Sequence, residues 1–132
     1  MSSKEASIQL KLSKAKSLLA EATILMQHQF YTTVINRLYY ACFHATRALL
    51  LTKDLVPKTH SGVVAQLHLH FVQDGSFDKE QAAFFSRLMQ ERIEDDYSDY
   101  MLPGADVKEF IEPAHAYVAY IEGLISKFNS TI

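Results

Sequence analysis

Apolar residues recur at helical spacing along most of the chain, and this pattern predicts a largely helical protein. The first predicted helix covers residues 4–27. One face of it carries Ile8, Leu12, Ala15, Leu19, Ala22 and Met26, whereas Lys11, Lys14, Lys16 and Glu21 lie largely elsewhere. This separation of apolar and charged positions is typical of an amphipathic helix that packs on one side. Residues 28–31 form a short joint.

The second predicted helix covers residues 32–52 and has a broader apolar face than the first. Its central stripe and the residues that widen it are Leu38, Ala41, Ala45, Ala48 and Leu49, with Val34, Ile35 and Cys42. A stripe of this width indicates burial on more than one side. It also favours an oligomer over a lone monomer.

The segment after the second helix breaks the helical pattern. Pro57 cannot lie in a helix interior, and Thr59 is a good N-cap for a helix that follows it. We therefore predict a third, shorter helix over residues 60–73, ended by the turn sequence DGS.

Two further helices are predicted in the second half of the chain. The fourth covers residues 78–98, with Asp78 at its positive N-terminus. The fifth starts at Asp106 and runs to about residue 127; Pro113 either kinks it or marks its true start. Because no long stretch alternates with strand period, the fold class is all-α, a five-helix up-and-down bundle of four long helices and one short helix.

Composition narrows the class of protein but not its function. The 132 residues predict one domain, 1–132, with 48% apolar and 21% charged residues. A net charge of −2 is not that of a general nucleic-acid binder, so DNA is not expected and RNA contact needs a local patch. The single Cys42 and the absence of an apolar signal segment predict a reducing cytoplasm. No apolar run reaches the roughly 18 residues of a membrane span.

The sequence NRLYYACFHATRALL, residues 36–50, places unusual polar groups inside a helix. Arg37, Tyr40, His44 and Arg47 follow at spacings of three and four, so they share one face. Such a row is suited to a phosphate or a base. The simpler interpretation is that the aromatic residues pack and the arginines pair with acids on a neighbouring helix, and the residues alone favour it.

The sequence RLMQERIEDDYSDYML, residues 87–102, combines Arg92 with five acidic residues. These acids point around the helix rather than converge, which disfavours a metal site.

For His60, at the start of the third helix, a local hydrogen bond is the favoured role. Cys42 is expected to be an inert core thiol. With neither a P-loop nor GxGxxG, no cofactor is predicted.

Three stretches together resemble one family, the HEPN domains: residues 36–45, NRLYYACFHA; residues 57–60, PKTH; and residues 92–100, RIEDDYSDY. The resemblance implies a five-helix bundle that pairs as a homodimer. Many HEPN proteins are metal-independent endoribonucleases, and some are toxins encoded beside a nucleotidyltransferase-like antitoxin of the MNT class. In catalytic members, an Arg and a later His at the end of the fourth helix face the second copy across a cleft.

This sequence matches the family's Arg at Arg92 but has Tyr97 where a His is usual. A Tyr, with a pKa of about 10 against about 6.5 for His, is a poor general base near neutrality. The resemblance assigns catalytic roles to Arg92 and Tyr97, and makes Tyr97 and Tyr100 candidates for AMP transfer by an MNT-type partner. It assigns nucleotide or RNA binding to the following residues: Asn36, Arg37, Tyr40, His44, His60 and Asp96.

Three functions are compatible with this resemblance. The first is a nucleotide- or RNA-binding component of a toxin–antitoxin or defence module, a homodimer with its cleft near Arg92. The second is a metal-independent endoribonuclease toxin that uses Arg92 with Tyr97 or with a distant His. The third is a non-catalytic, partner-binding bundle in which an ion pair from Arg37 to Asp95 or Asp96 is structural.

Overall fold

The computed structural model describes residues 2–97 and 104–129, without the side chains of residues 95–97, 105 and 129. This part of the chain is helical and contains no strand. Its helices are α1 (Ser3–Gln27), α2 (Tyr31–Leu51), α3 (His60–Leu67), α4 (Lys79–Tyr97), α5 (Gly104–Lys108) and α6 (Ile111–Asn129). A π-helical turn, His68–Val72, continues α3. The all-α bundle predicted from the sequence is confirmed, with α5 as an additional single turn.

Helix α2 lies at the centre of the bundle. It packs most extensively against α1, and also contacts α6, α4, α3 and α5. Eleven of its 21 residues are buried: Val34, Ile35, Leu38, Tyr39, Ala41, Cys42, Ala45, Thr46, Ala48, Leu49 and Leu50. Burial on more than one side is therefore confirmed. This apolar face is buried within the chain itself, and the oligomer expected from its width stays a prediction.

A side-chain cap defines where α3, the helix that carries His60, begins. The hydroxyl of Thr59 accepts a hydrogen bond from the backbone N–H of Gly62 at 2.9 Å, which confirms the predicted cap of α3. A Cβ on Gly62 would come within 2.8 Å of that hydroxyl, so a glycine is required for this close approach. The cap fixes His60 in the first turn of α3.

The last long helix begins later than the sequence indicated. The prediction that it starts at Asp106 was wrong, because α5 ends at Lys108 and the chain turns before α6 begins at Ile111. In this turn the N–H of Phe110 bonds to the carbonyl of Val107 at 3.0 Å, and both side chains are buried. Pro113 lies in the first turn of α6, where its missing N–H leaves no bond unmade. Of the two alternatives for Pro113, the second is correct.

Candidate functional site

A hydrogen bond between α2 and the start of α3 organises the site. The Tyr39 hydroxyl lies 2.5 Å from Nδ1 of His60, and the two rings stack with centroids 5.7 Å apart. Burial raises the pKa of Tyr39, so its hydroxyl stays protonated. Burial, and then the charge of Arg92, lower the pKa of His60. A neutral His60 can therefore accept from Tyr39 at Nδ1 and present Nε2–H elsewhere.

Helix α4 brings Arg92 onto the same two tyrosines. The guanidinium carbon lies 4.8 Å from the ring centre of Tyr39 and 5.8 Å from that of Tyr40. A guanidinium within about 6 Å of an aromatic face is attracted by the ring's quadrupole. Tyr39 is fully buried, whereas Arg92 and Tyr40 are half-buried. The arginine is thus held at the border between the core and the surface.

Three half-buried rings, Tyr40, Phe43 and His60, form what we call the aromatic surface. Phe43 and His60 stack nearly parallel, with centroids 4.4 Å apart and planes inclined by 15°. Tyr40 meets both rings edge-on, at 5.8 Å from His60 and 6.0 Å from Phe43. Partly exposed rings of this kind offer faces and edges on which a planar base can stack.

Beyond Phe43, the edge of the site is cationic. Nη1 of Arg47 lies 3.5 Å from Nδ1 of His44, and its guanidinium carbon is 5.8 Å from the Phe43 ring centre. Burial lowers the pKa of His44 to about 4, and the charges of Lys14, Arg47, Lys11 and His60 contribute in that order. His44 is therefore neutral at physiological pH, among cations from α1 and α2.

The other end of the same face of α2 has a different environment. Nη1 of Arg37 donates to the side-chain oxygen of Asn36 at 2.8 Å, and its Nε lies 3.7 Å from a carboxylate oxygen of Glu21 on α1. We expected Arg37 to lean toward the dimer cleft or α4, with an ion pair to Asp95 or Asp96 as the structural alternative. The side chains of Asp95 and Asp96 lie outside the described residues. Within the described part of the chain, Arg37 contacts Asn36 and Glu21.

The fold brings some of the sequence-predicted site residues together and not others. Tyr40 and His60 belong to the aromatic surface, and His44 and Arg92 contact it. Arg37, with Asn36 as its hydrogen-bond acceptor, lies beside Glu21 instead. The side chains of Asp96 and Tyr97, and the whole of Tyr100, lie outside the described residues.

Two sequence expectations for single residues have clear outcomes. The local hydrogen bond favoured for His60 was wrong, because its bond is to Tyr39, 21 residues earlier in the chain. Cys42 is fully buried, with Sγ 4.0 Å from the carbonyl oxygen of Ala114, and burial raises the pKa of its thiol. The expected position of this thiol in the core is confirmed, and burial with a raised pKa is typical of an unreactive thiol.

Sequence reasoning did not include Lys11 and Lys14 in the site. It placed them only on the polar side of α1, because the spacing within one helix does not show what lies opposite. The proximity of both to His44 depends on how α1 packs against α2. The three lysines in KLSKAK, residues 11–16, were the feature of the sequence that could have indicated a cationic site.

Within residues 2–97 and 104–129, no three His, Cys, Asp or Glu side chains group closely enough to hold a metal ion. None of the helices described here has the length and apolar character needed to cross a membrane.

Comparison with known proteins agrees with the three motif stretches. The family model for the HEPN domain matches residues 8–124. The chain belongs to the HEPN domain family. A relative from Thermotoga maritima, named "UPF0332 protein", is 34% identical over 95% of this chain and 96% of its own length. A second HEPN relative, "Putative toxin MJ0605" from Methanocaldococcus jannaschii, is 32% identical over 87% of this chain and 86% of its own.

Proposed function

We propose that this HEPN domain binds RNA or a nucleotide at the aromatic surface, with Arg92 contacting a phosphate. The observation that carries the proposal is the position of Arg92 over the Tyr40 ring, next to the Phe43–His60 stack. A cation beside accessible rings is the combination that recognises a nucleotide, because the rings take the base and the cation takes its phosphate. Base–aromatic stacking contributes about 1–3 kcal/mol per base.

The names of the relatives support a place in a toxin-type module. One relative that covers most of the chain, from Methanocaldococcus jannaschii, bears the name "Putative toxin MJ0605". By family likeness, we propose that the protein acts in the cytoplasm as a homodimer whose cleft lies near Arg92. The likeness also favours an MNT-type nucleotidyltransferase as partner, which would transfer AMP to Tyr97 or Tyr100. A mass increase on this segment after co-expression would support that partner.

The binding proposal is tested by titrating the purified protein with fluorescent single-stranded RNA and with AMP. We expect Arg92→Gln to weaken binding at least about tenfold, equivalent to about 1.4 kcal/mol. Arg87→Gln is the matched control, since Arg87 also lies on α4 and contacts two rings, those of Phe84 and Phe110, each at 5.7 Å. Equal affinity of both variants, or no binding by the wild type, would contradict the proposal.

A second candidate function is metal-independent RNA cleavage with His60 in place of the missing motif histidine. The observation that favours it is that His60 and Arg92 both pack on Tyr39, so a neutral imidazole lies near a guanidinium. In the other tautomer, Nδ1–H donates to the Tyr39 hydroxyl oxygen, and Nε2 could accept the proton of the 2′-hydroxyl and return it to the departing 5′-oxygen, while the guanidinium stabilises the phosphate.

This candidate is tested by incubating total RNA with the purified protein in EDTA. Cleavage that survives EDTA and disappears in both Arg92→Ala and His60→Asn would establish it. Tyr97→Phe separates the two possible acid–base groups. Loss of cleavage in Tyr97→Phe but not in His60→Asn would assign the role to Tyr97 instead. Intact RNA with every form would leave the binding function alone.

A further inference from the structure

We propose that Lys11, Lys14 and Arg47, grouped around His44, form a second phosphate subsite that binds a neighbouring phosphate of single-stranded RNA. This inference rests on the proposed function and makes it more specific, because a second phosphate subsite selects a polynucleotide over a mononucleotide. The base between the two phosphates would stack on the aromatic surface.

The first argument is the arrangement of the cations. Lys11 and Lys14 lie one helical turn apart on α1. Arg47 on α2 lines one cavity together with Lys11, and the charges of all three cations act on His44. Nζ of Lys11 donates to the hydroxyl of Ser7 at 2.9 Å, which restrains the lysine. Arg47 is held between His44 and the face of Phe43. Two of the three cations thus have defined positions.

The second argument is charge balance. Within the described part of the chain, no carboxylate lies within 4.0 Å of Lys11, Lys14 or Arg47. Other cations on the same two helices do have such partners: Lys16 pairs with Glu122, and Arg37 with Glu21. The grouped cations also repel one another, since the charge of Arg47, after burial, lowers the pKa of Lys11. A bound anion would relieve this repulsion.

The third argument is space. A cavity of about 140 Å³ opens beside the two restrained cations. Lys11, Arg47 and the hydroxyl of Ser7 provide its polar lining, and Leu51, Leu55, Val56 and Pro57 provide the rest. One water occupies about 30 Å³ in the liquid, so a phosphate group can enter this volume. The lining provides two cations and one hydroxyl as hydrogen-bond donors and no carboxylate.

The fourth argument is continuity with the first site. Phe43 contacts both His60, on which it stacks, and Arg47, whose guanidinium carbon lies 5.8 Å from the centre of the Phe43 ring. Arg92 lies at the opposite border of the same rings, over Tyr40. Cationic groups therefore flank the aromatic surface at both ends, as expected for consecutive phosphates on either side of a stacked base.

The test compares AMP with oligo(A) of about 12 nucleotides, within the usual site size of a single-strand binder. The double variant Lys11→Gln/Lys14→Gln and the variant Arg47→Gln are titrated at several salt concentrations. Lys16→Gln is the matched control, because Lys16 lies on the same helix but is paired with Glu122.

We expect the subsite variants to weaken oligo(A) binding about tenfold or more. The slope of log affinity against log salt should become shallower by about 0.7 for each phosphate that is no longer neutralised. AMP affinity should stay that of the wild type, and Lys16→Gln should change neither ligand. Equal reductions in affinity for AMP and oligo(A), or an unchanged oligo(A) affinity, would overturn the second subsite. If only Arg92→Gln weakened RNA binding, the proposed function would stand without it.

A second measurement does not depend on RNA binding. The pKa of His44 is followed by NMR with and without inorganic pyrophosphate. An anion in the subsite should raise this pKa from about 4, because it offsets the charges of Lys14, Arg47 and Lys11. A rise in a protein that binds no RNA would keep the anion subsite and refute the RNA function. An unchanged pKa would refute the subsite.

Discussion

Arg37 and Arg47 lie ten residues apart on one face of α2, yet the bundle places them in opposite electrostatic settings. Arg37 meets Glu21 of α1 and the Asn36 amide, so its charge is partly neutralised. Arg47 faces the end of α1 that carries Lys11 and Lys14. Helix α1 runs antiparallel to α2, so Glu21 of α1 lies at the Arg37 end of the polar row on α2 and the two lysines lie at its Arg47 end. We call the first the structural end; the second is suited to an anion. A chain of net charge −2 thereby acquires a local cationic site.

The largest expected effect comes from reversing the charges that distinguish the two ends. In Lys11→Glu/Lys14→Glu, Arg47 would face carboxylates, as Arg37 does. We expect RNA affinity at low salt to fall by about two orders of magnitude, since two cations are removed and repulsion of the phosphates is added. The pKa of His44 should rise. Fluorescence anisotropy and NMR titration measure the two effects, with Lys16→Gln as the control. Unchanged RNA affinity would show that the difference in charge between the two ends of α2 does not affect RNA binding.

Removing the Tyr39 hydroxyl tests the bond that supports the aromatic surface between the two ends. Tyr39→Phe leaves Nδ1 of His60 without its partner, and we expect the free energy of unfolding to fall by about 1–2 kcal/mol. Tyr120→Phe is the control, because its hydroxyl accepts from the exposed backbone N–H of Asp78 and not from a buried side chain in the described part of the chain. Denaturant titration measures both. Equal decreases would show that the Tyr39–His60 bond has no special role.

The depressed pKa of His44 predicts a stability change with pH at the Arg47 end. In the unfolded chain His44 takes up a proton near its ordinary pKa of about 6.5. In the folded protein it does so only near 4. The contribution of neutral His44 to the free energy of unfolding should therefore be fully present above about pH 6.5, and it should be lost as the pH falls toward 4. The free energy of unfolding should fall by only about 1 kcal/mol, because His44 is partly exposed and solvent screens its charge.

Denaturant titrations across this pH range measure that decline. His44→Gln cannot take up the proton, so its profile should be flatter than that of the wild type by this amount. Parallel profiles would mean that neither burial nor the surrounding cations lower the pKa of His44 in the folded protein.

The smallest effect is expected at the structural end. Arg37→Gln removes a half-exposed ion pair, and such pairs contribute only about 0–1 kcal/mol. We expect a change in unfolding free energy below about 0.5 kcal/mol and an RNA affinity equal to that of the wild type. Arg47→Gln, measured in the same assay, should bind RNA more weakly. A similar weakening in both variants would show that the whole row, and not one end of it, contacts the ligand.

Helical periodicity and local chemistry determined the fold class, the approximate extent of four long helices, the cap at Thr59 and the first turn that carries His60. These features depend on neighbours within a few residues in the sequence, so a single sequence contains them. The late start of α6 escaped periodicity because Val107 and Phe110 continue the apolar spacing through a turn. The motif stretches, by resemblance, indicated the family that the comparison with known proteins then established.

Only the tertiary structure decided which partners each polar side chain meets. His60 forms a hydrogen bond with Tyr39, and Arg37 forms an ion pair with Glu21. Arg47 and two lysines more than 30 residues before it in the sequence all lie near His44. The offset of α1 along α2 sets these contacts. That offset follows from how whole apolar faces interlock, to which the exposed charges contribute little. The sequence therefore specified that α2 carries a polar row, and the packing of α1 specified which end of it can bind an anion.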